Sequence, residues 1–499
     1  MREKKLGYSS QMALVVSLIA GSVGTGNIWR FPRVVAMNGG GAFILAWLVM
    51  LFLVCVPIMI GEHVIGRAAR HGTPGAFRDF IGKRYTWLGT VVAVTMAGVA
   101  AYYSSVIAWV FYYLGLSLTK GYYGVDKLSL FHSVSNGNIV TVILFVIVLL
   151  ISAWIAYKGV SGIEKANKLF IPVLFGCLVA SAIHSAFLPG AVKGMNYLFS
   201  FEAQELLNYK IWLEALTQAV WSAGPGWGLC ITLAVFSKAN SDVALTSTIQ
   251  GLGDASASVI AGLAVIPAVF ALSPSTTEAL KICGAGNNGL TFISMTSLFE
   301  QMPGGYIVSI LFFISLLFAA LSSNVCHFMI VSLPFVDSGI SKKRAVTLLF
   351  FILLILGLPS AWNSNFLTNQ DWVYGQMMLI GALFSCFALA KFGVRKIRTL
   401  FLNTSYTGMH VSIIWELSVK FIAPLIVLIM FSWWSIQSIG WVKDWWNPLA
   451  VDSLGTFIAQ GFCILIVCKL LNNKVADSVK EKYFNGETFP EIPDNEFSA

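Results

Sequence analysis

The most unusual feature of this sequence is a glycine-rich interruption at residues 20–32, inside an otherwise apolar segment. The run from Met12 to Ala20 is apolar and helical in character, helical character resumes at Asn27, and three glycines lie between them. In a lipid environment, each backbone group freed by such a break costs several kcal/mol unless another group binds it. Carbonyls on one side of a break could hold a cation, and N–H groups on the other side could hold an anion. This stretch alone leaves a second interpretation open, a glycine-rich surface for helix packing.

The composition predicts that the surrounding elements are membrane-spanning helices. Apolar residues make up 57% of the 499 residues and charged residues only 11%, which no soluble globular class matches. A membrane-spanning helix needs about 20 apolar residues. Twelve segments meet this need, at residues 12–37, 41–66, 87–118, 138–157, 167–188, 211–237, 243–272, 304–334, 345–361, 373–392, 417–439 and 453–471.

The distribution of positive charge predicts the orientation of the chain and argues against a nucleic-acid partner. The net charge is +9, and most of the 32 Lys and Arg residues fall on one side of the predicted spans, for example at residues 67–84, 342–344 and 395–398. This positive-inside bias predicts cytoplasmic termini and a location in the plasma or inner membrane. Seven of the 8 cysteines lie in predicted spans and Cys283 lies in an outer loop, so we expect neither a disulfide framework nor a zinc site.

A second interrupted span lies five spans after the first. At residues 218–228, Pro225 removes a backbone donor and the glycines on both sides weaken the helix further. Two interrupted spans at matching positions in two five-span halves predict an inverted repeat with a binding site at the membrane midplane. A lone proline kink would not explain this matched spacing, so the pattern favours a transporter. Glu62, in an apolar stretch, is expected to brace the broken helices.

We therefore expect an all-α integral membrane protein with twelve transmembrane helices in two inverted five-helix repeats. Spans 1–5 form the first repeat and spans 6–10 the second, each beginning with a broken helix, and spans 11 and 12 follow. The predicted organisation is a cytoplasmic N-terminal segment at 1–11, repeats at 12–188 and 211–392, spans 11 and 12 at 417–471, and a cytoplasmic tail at 472–499. The polar tail from Lys474 is expected to be disordered, and the loop 273–303 is expected to fold over an outer vestibule.

Several motifs around the two breaks are specific enough to compare with known families. They are Gly24-x-Gly26-Asn27-Ile28-Trp29-Arg30-Phe31-Pro32, Asn38-Gly39-Gly40-Gly41-Ala42-Phe43, Pro57-x3-Gly61-Glu62-x3-Gly66-Arg67, Tyr102-Tyr103, Gly224-Pro225-Gly226-x-Gly228 and Leu321-Ser322-Ser323. Over residues 5–440, this set resembles the neurotransmitter:sodium symporter family. The resemblance implies sodium-driven import of an amino acid or related amine by alternating access.

The resemblance also implies two sodium sites. The first would consist of the Ser22 carbonyl, the Asn27 side chain, Ser222 and Asp254, with Gly253 as the alternative to Asp254 if the alignment shifts by one residue. The second would consist of the carbonyls of Ala20, Val23 and Ala319 and the hydroxyls of Ser322 and Ser323. These groups are all oxygens, which suit the hard cation Na⁺. For the two adjacent serines, hydrogen bonding to the preceding helical turn is the alternative.

A substrate site would lie between the two breaks. The resemblance implies that the backbone N–H groups of Thr25 and Gly26 and the Tyr103 hydroxyl bind a carboxylate. Gly24 stands where family members for monoamines usually carry Asp, which leaves space for the substrate's own carboxylate and indicates an amino acid. The side-chain pocket would be formed by Val99, Trp221 as an aromatic lid, Gly224, Trp227, Ser323 and His327, with Gly21 opposite. His327 could hydrogen-bond to a polar substrate or be a core histidine, and the apolar remainder favours a neutral amino acid of medium or large size.

Two gates complete the implied site. Arg30 and Asp371 match an outer ion pair, and Asp337 would pair at the inner end with a basic N-terminal residue, Lys5 or Arg2. An unpaired arginine within the membrane is costly, so a partner for Arg30 is also expected on physical grounds. A solvated charge is the alternative for each of the two aspartates.

Two departures from the family pattern bear on chloride. Animal members place a chloride beside the first sodium, and Gln218, Ser222 and Ser258 match three of its contacts. Trp47, however, replaces a tyrosine and Asp254 replaces an asparagine. A chloride beside the Asp254 carboxylate would be repelled, so chloride is not expected, and Asp254 could carry a proton on the return step.

Other classes of function remain to be weighed against a symporter. An amino-acid-sensing membrane receptor and a ligand-gated channel on the same fold are alternatives, although a complete ion-ligand set and inverted halves favour transport. An enzyme is not expected, because acidic residues are sparse in the spans and no nucleophile–base pair stands out. The sequence leaves open which amino acid is carried, how many sodium ions accompany it, and whether the chain forms a homodimer.

Overall fold

The computed structural model describes residues 7–479 and 481–492, and every regular element in these residues is a helix. The longer helices are α1 (Gln11–Ser22), α2 (Gly26–Met37), α3 (Gly41–Ala69), α4 (Thr73–Ile81), α5 (Lys83–Thr119), α6 (Lys127–Ser135), α7 (Ile139–Tyr157), α8 (Gly159–Ala186), α9 (Ala191–Phe199), α10 (Tyr209–Ala223), α11 (Leu229–Ala234), α12 (Val243–Leu272), α13 (Thr276–Cys283), α14 (Met295–Gln301), α15 (Gly305–Asp337), α16 (Lys342–Trp362), α17 (Ser364–Phe392), α18 (Ile413–Ser438), α19 (Leu454–Leu470) and α20 (Asn472–Ser478). Shorter helical turns lie at Ala203–Leu207, Gly286–Asn288, Gly289–Ser294, Val394–Ile397 and Arg398–Leu402.

The predicted spans coincide with these helices. Nine of the described helices are long and apolar enough to cross a membrane, or eleven if each of two bent pairs counts as one span. The sixth predicted span does not qualify because it is divided into α10 and α11, which have 15 and 6 residues, and a span needs about 20. The all-helical membrane architecture is therefore confirmed, whereas twelve spans and their inverted repeats stay a prediction.

The first predicted break lies where α1 ends and α2 begins. The two helix axes meet at 56°, and Val23 leaves the helix with an extended backbone, at φ −69° and ψ 105°. The Asn27 side chain turns back across the break, where its Oδ1 accepts a 2.9 Å hydrogen bond from the Gly24 N–H. This segment is therefore a hydrogen-bonded loop inside a span, not the packing surface of an intact helix.

The second break, between α10 and α11, depends on glycine. Gly224, Gly226 and Gly228 have φ angles of 77°, 86° and 76°, a left-handed conformation that favours glycine. Gly226 also lies against α17, where an added Cβ would come within 2.3 Å of the Ala382 nitrogen. Its N–H donates to Glu62 Oε1 at 3.0 Å. This contact confirms that Glu62 braces a broken helix.

Long neighbouring helices hold both breaks inside the bundle. α15 packs against α1, α5, α8 and α11, and α12 packs against α1 and the beginning of α2. Val23 in the first break and Ala223 before the second are fully buried. All eight cysteines are free thiols. The two interrupted segments therefore face each other in a protein environment that can satisfy their backbone groups.

The described part of the C-terminal tail is packed, so the predicted disorder is wrong for residues 474–479 and 481–492. α20 continues the chain after α19, and Phe484 is buried with its ring centroid 5.7 Å from that of Phe80 on α4. Phe489 packs on Phe401, with centroids 4.7 Å apart. Arg70 Nη2 donates to the Pro490 carbonyl at 2.7 Å. Phe484 and Phe489 anchor the tail, although its overall composition is polar. Residues 480 and 493–499 lie outside the described part.

Truncating one anchor should release this segment. In Phe484→Ala, the loss of a buried phenyl ring removes a few kcal/mol of local packing. The segment should then open more often, so trypsin should cleave the chain after the exposed Lys482 about tenfold faster or more. Cleavage is followed by mass spectrometry of the purified protein. Glu487→Ala, at an exposed position of the same segment, is the control and should cleave at the wild-type rate. Equal rates for all three proteins would show that Phe484 does not hold the segment.

Candidate functional site

A cavity of about 510 Å³ lies beside the two breaks. Its walls come from the first break, α5, α10 and the loop that follows it, α15 and α17, and residues 285–289 border it after α13. Arg33 on α2 donates to Asn287 Oδ1 of this loop at 2.9 Å. Residues 285–289 of the loop 273–303 therefore border the mouth of this cavity, whereas the outer position of the vestibule stays a prediction.

Asn27, Ser222 and Asp254 form a buried polar cluster at the first break. Asn27 Nδ2 lies 2.8 Å from Ser222 Oγ and 2.7 Å from Asp254 Oδ1, and the Ser222 hydroxyl donates to Asp254 Oδ2 at 2.5 Å. Nδ2 also donates to Ser258 Oγ at 2.9 Å and to the Asp254 carbonyl at 3.2 Å. The amide nitrogen thus lies at the focus of four oxygens, and oxygen is the ligand type that a hard cation prefers.

The register of α12 places Asp254, and not Gly253, in this cluster. Gly253 faces Ile19, whose Cδ1 would lie 2.6 Å from an added Cβ. Ser22 lies on the other side of the break, where its hydroxyl accepts from Gln250 Nε2 at 2.7 Å and lies 3.4 Å from the Ala223 carbonyl. The side chains predicted for the first sodium site are therefore assembled from three separate segments.

A second group of oxygens surrounds the Ser323 hydroxyl on α15. Ser323 Oγ lies 3.1 Å from the Val23 carbonyl, 3.2 Å from the Ala319 carbonyl and 3.4 Å from the Ala20 carbonyl. Ser322 Oγ donates to the Ala319 carbonyl at 2.8 Å. This is a hydrogen bond to the preceding helical turn, the alternative to ion binding for this serine. The Ala20 and Val23 carbonyls of the first break thus converge on the Ser323 hydroxyl, whereas the Ser322 hydroxyl bonds to its own helix. The second sodium site stays a prediction.

The predicted carboxylate anchor lies between these two oxygen groups. The Thr25 N–H donates to Tyr103 Oη at 3.1 Å, which brings the backbone of the first break and the α5 hydroxyl together. An added Cβ at Gly24 would lie 2.9 Å from Tyr103 Oη and 3.1 Å from Ser323 Oγ. Gly26 lies beside the Trp221 carbonyl. Glycine at position 24 therefore keeps open a space bordered by N–H and O–H groups.

Most of the predicted side-chain pocket lines the cavity. Val99, Trp221, Trp227, Ser323 and His327 all border it. Gly21 and Gly224 are not among the lining residues of this cavity. An added Cβ at Gly21 would meet Leu229 at 2.6 Å, and one at Gly224 would meet the Trp227 ring at 3.1 Å. These two glycines make room for neighbouring side chains, and their place at the pocket wall stays a prediction.

The predicted outer ion pair is not formed in this structure. Arg30 Nη1 donates to Gln218 Oε1 at 2.6 Å, and its Nη2 lies 3.5 Å from Glu214 Oε2. Both Arg30 and Asp371 border the cavity, but α10 supplies the contacts of the guanidinium. The partner required on physical grounds therefore exists, and it is Glu214 in place of Asp371.

At the C-terminal end of α15, Asp337 is half-buried and its Oδ2 accepts a hydrogen bond from the Gly72 N–H at 2.7 Å. Its predicted partners, Lys5 or Arg2, lie outside the described residues. The Asp337 carboxylate therefore joins α15 to the loop before α4, and its pairing with the N-terminal segment stays a prediction.

Sequence reasoning missed two contacts of the site. Glu214 pairs with Arg30, and Gln250 donates to Ser22. Glu214 lies four residues before Gln218, one turn away on the same face of α10. An acidic residue within a predicted span was the signal that could have identified it. Gln250 lies four residues before Asp254, and a polar residue at this position within a predicted span was the corresponding signal.

Two broken helices that meet beside one cavity, with clustered oxygens and N–H groups at the first break, define a membrane transporter of the broken-helix class. The family model described as the sodium:neurotransmitter symporter family matches residues 5–123 and 120–476. The chain belongs to this family.

Similar proteins come from distant organisms. An uncharacterized sodium-dependent transporter of Methanocaldococcus jannaschii is 28% identical over 366 residues, which cover 70% of this chain and 73% of that protein. An uncharacterized sodium-dependent transporter of Haemophilus influenzae is 26% identical over 85% of this chain and 97% of its own length. The mouse sodium-dependent neutral amino acid transporter B(0)AT2 is 24% identical over 53% of this chain and 40% of its own.

A solved structure shares the fold. The crystal structure of MhsT in complex with L-phenylalanine matches with a TM-score of 0.74 and 28% sequence identity, over 85% of this chain and 99% of that chain. Together with the family match, these similarities make the chain a multi-pass membrane protein of sodium-coupled transport. The family is one of secondary transporters and not of enzymes.

Proposed function

We propose that this protein is a symporter that uses the sodium gradient to import an amino acid by alternating access. The observation that carries the proposal is the first break, which lines the cavity and contacts two groups of oxygens, one that surrounds the Asn27 amide and includes Asp254, and one around Ser323. Two oxygen groups support two sodium ions per transport cycle. Because both groups use the first break, ion binding and the conformation of that break would be coupled.

An amino acid fits the polar groups at the centre of the cavity. Its carboxylate would occupy the space at Gly24 beside Tyr103, near the N–H groups of the first break and the first sodium ion. MhsT is named in complex with L-phenylalanine and B(0)AT2 is named a neutral amino acid transporter. These names support a neutral amino acid as the substrate of this chain.

Alternating access is supported by the unequal ends of the site. Toward the Arg30 end, the cavity extends past Trp221 to loop residues 285–289. Toward the opposite end, buried His327 and the packed helices α1 and α15 lie below it. We propose an orientation with both termini in the cytoplasm of a plasma or inner membrane, in which this conformation faces outward.

A thermal-shift screen of the common amino acids, with sodium or with choline, tests the proposal. A ligand that binds the folded protein raises the melting temperature as its concentration exceeds Kd. We expect one or a few neutral amino acids to raise the melting temperature in sodium and to have little effect in choline. Shifts that are equal in both buffers would contradict sodium coupling.

The Tyr103 hydroxyl should contribute strongly to affinity. Tyr103→Phe removes one hydrogen bond to a charged carboxylate, worth roughly 1.5–3 kcal/mol, so the Kd should rise about tenfold or more. The control is Tyr113→Phe on the same helix, because the Tyr113 ring is fully buried and does not border the cavity. Binding is measured at saturating sodium. Unchanged affinity in the folded Tyr103→Phe protein would show that Tyr103 only packs.

A further inference from the structure

The C-terminal segment 481–492 lies beyond the part of the chain that the family model matches, which ends at residue 476. It is nevertheless docked on the helices. The Phe484 ring lies between Phe80 of α4 and Phe392 of α17, with its centroid 5.7 Å from each of theirs. Because the ordering of a segment costs conformational entropy, the contacts that hold this one in place indicate what its docking connects.

Two buried arginines connect the segment to the chain that leaves α11. Arg70 donates from Nε and Nη2 to the Pro490 carbonyl, at 3.0 and 2.7 Å, and from Nη1 to the Ser237 carbonyl at 2.7 Å. The Arg67 guanidinium lies 3.7 Å from the centroid of the Phe489 ring, and it also donates to a carbonyl of the loop between α11 and α12. Each guanidinium therefore contacts the tail and the chain after α11 at the same time.

The far end of the segment reaches the chain that enters α1. An added Cβ at Gly7 would lie 2.7 Å from Ile492 Cδ1 and 2.6 Å from the Phe236 carbonyl oxygen. The Tyr8 N–H donates to the same carbonyl at 3.3 Å. The tail, the start of α1 and the end of α11 therefore meet at one place.

α1 and α11 are the halves of the two broken spans that lie on the side of the cavity away from Arg30, because Arg30 on α2 pairs with Glu214 on α10. α1 and α11 contact each other, and both contact α15. An added Cβ at Gly21 of α1 would lie 2.6 Å from Leu229 of α11 and 3.3 Å from Cys326 Sγ of α15. This packing closes the cavity on that side, so a route there requires α1 to separate from α15.

We propose that residues 481–492 form a strap that keeps the cytoplasmic side of the transporter closed and is released when that side opens. The strap is anchored on α4 and α17 and also contacts the ends of α1 and α11. α1 and α11 can therefore move away from α4 and α17 only when contacts of the strap break. This proposal rests on the proposed function, in which alternating access opens this side, and it adds a means of regulating that step.

The thiol of Cys326 reports the opening. It is fully buried between α1 and α15, with Sγ 3.8 Å from the Ser17 carbonyl, so a maleimide reaches it only when these helices separate. Its reaction rate in the full-length protein is measured by peptide mass spectrometry, in choline and in sodium. Phe489→Ala removes the ring that packs on Arg67 and should raise this rate about fivefold or more, since the opened state becomes more populated. Glu487→Ala, at an exposed position of the strap, should react at the wild-type rate.

A second thiol separates opening of this side from general loosening. Cys283 is fully buried on α13, shortly before the loop residues that border the cavity, and its rate should not change in Phe489→Ala. Equal acceleration at Cys283 and Cys326 would overturn the strap. Faster trypsin cleavage after Lys482 without faster labelling of Cys326 would also overturn it, because the segment would then be released with no effect on closure.

Two further comparisons complete the test. Ile492→Asp, at a half-buried position of the strap, should also accelerate the labelling of Cys326 and replaces Phe489→Ala if that variant fails to fold. Sodium should slow the labelling in the wild type, because the proposed second ion would join the first break to α15. A wild-type rate that is equal in sodium and choline would contradict the proposed function, whereas strap variants that react at the wild-type rate would contradict the strap alone.

Discussion

The Asp254→Asn variant is expected to need about a hundredfold more sodium, or more, for half-maximal uptake, because removing one member of a buried charged network costs about 3–5 kcal/mol. The carboxylate contacts Asn27 Nδ2 at 2.7 Å and accepts from the Ser222 hydroxyl at 2.5 Å. Asp254 is the only acidic residue in the cluster that it forms with Asn27, Ser222 and Ser258. It would therefore balance the charge of the first sodium ion. Uptake is measured in proteoliposomes across a sodium titration, with Asp444→Asn at an exposed position as the control.

The same carboxylate predicts the response to chloride. Wild-type uptake should be unchanged when gluconate replaces chloride, because a fixed negative charge already stands beside the cation and would repel an anion. In Asp254→Asn, chloride should restore part of the lost uptake, since Ser222 and Ser258 then face a neutral amide. A wild-type protein that stops working in gluconate would contradict both the role of Asp254 and the charge argument.

The Ser323→Ala variant is expected to lose roughly tenfold or more in apparent sodium affinity, because it removes an oxygen ligand whose bond to a charged partner is worth about 1.5–3 kcal/mol. Ser323 Oγ lies within 3.4 Å of three backbone carbonyls, two of which belong to the first break. Without the hydroxyl, those carbonyls would hold the second ion with one ligand fewer. The measurement is sodium-dependent binding of the best amino acid over a range of sodium concentrations.

The same helix supplies matched controls for this variant. Ser315 and Ser332 are fully buried on α15, and their hydroxyls donate to the preceding turn, to the carbonyls of Phe312 and Phe328. Ser315→Ala and Ser332→Ala should therefore keep the sodium dependence of the wild type. If Ser323→Ala behaves like these two, its hydroxyl does not bind an ion and the second ion site is elsewhere.

The helix breaks could be predicted because their causes are local. Glycine and proline weaken a helix at the position where they occur, so the sequence at residues 20–32 and 218–228 predicted both interruptions. The proposed oxygen ligands came from the resemblance. The choice between Gly253 and Asp254 needed the packing of α12, which turns Gly253 toward Ile19. A one-residue shift moves a side chain by about 100° around a helix, and the sequence alone does not fix that angle.

Two features could not be predicted in the same way, because distant contacts decide them. Arg30 pairs with Glu214 from another helix and not with Asp371, and the sequence does not show which of the two carboxylates lies nearer. The packing of the tail depends on a site for Phe484 between Phe80 and Phe392, which only the assembled helices create. Composition predicts neither the ion pair nor the packing of the tail, because a count of polar residues does not show which apolar side chains are buried against other segments.

The central claim, sodium-coupled import of an amino acid, is tested most directly by uptake into proteoliposomes that contain the purified protein and an inward sodium gradient. The labelled substrate is the amino acid that gives the largest sodium-dependent thermal shift. We expect it to accumulate inside above its external concentration, and to leave again when an ionophore dissipates the gradient. Accumulation that is equally large in choline, or simple equilibration across the membrane with the gradient intact, would contradict coupling between sodium and substrate.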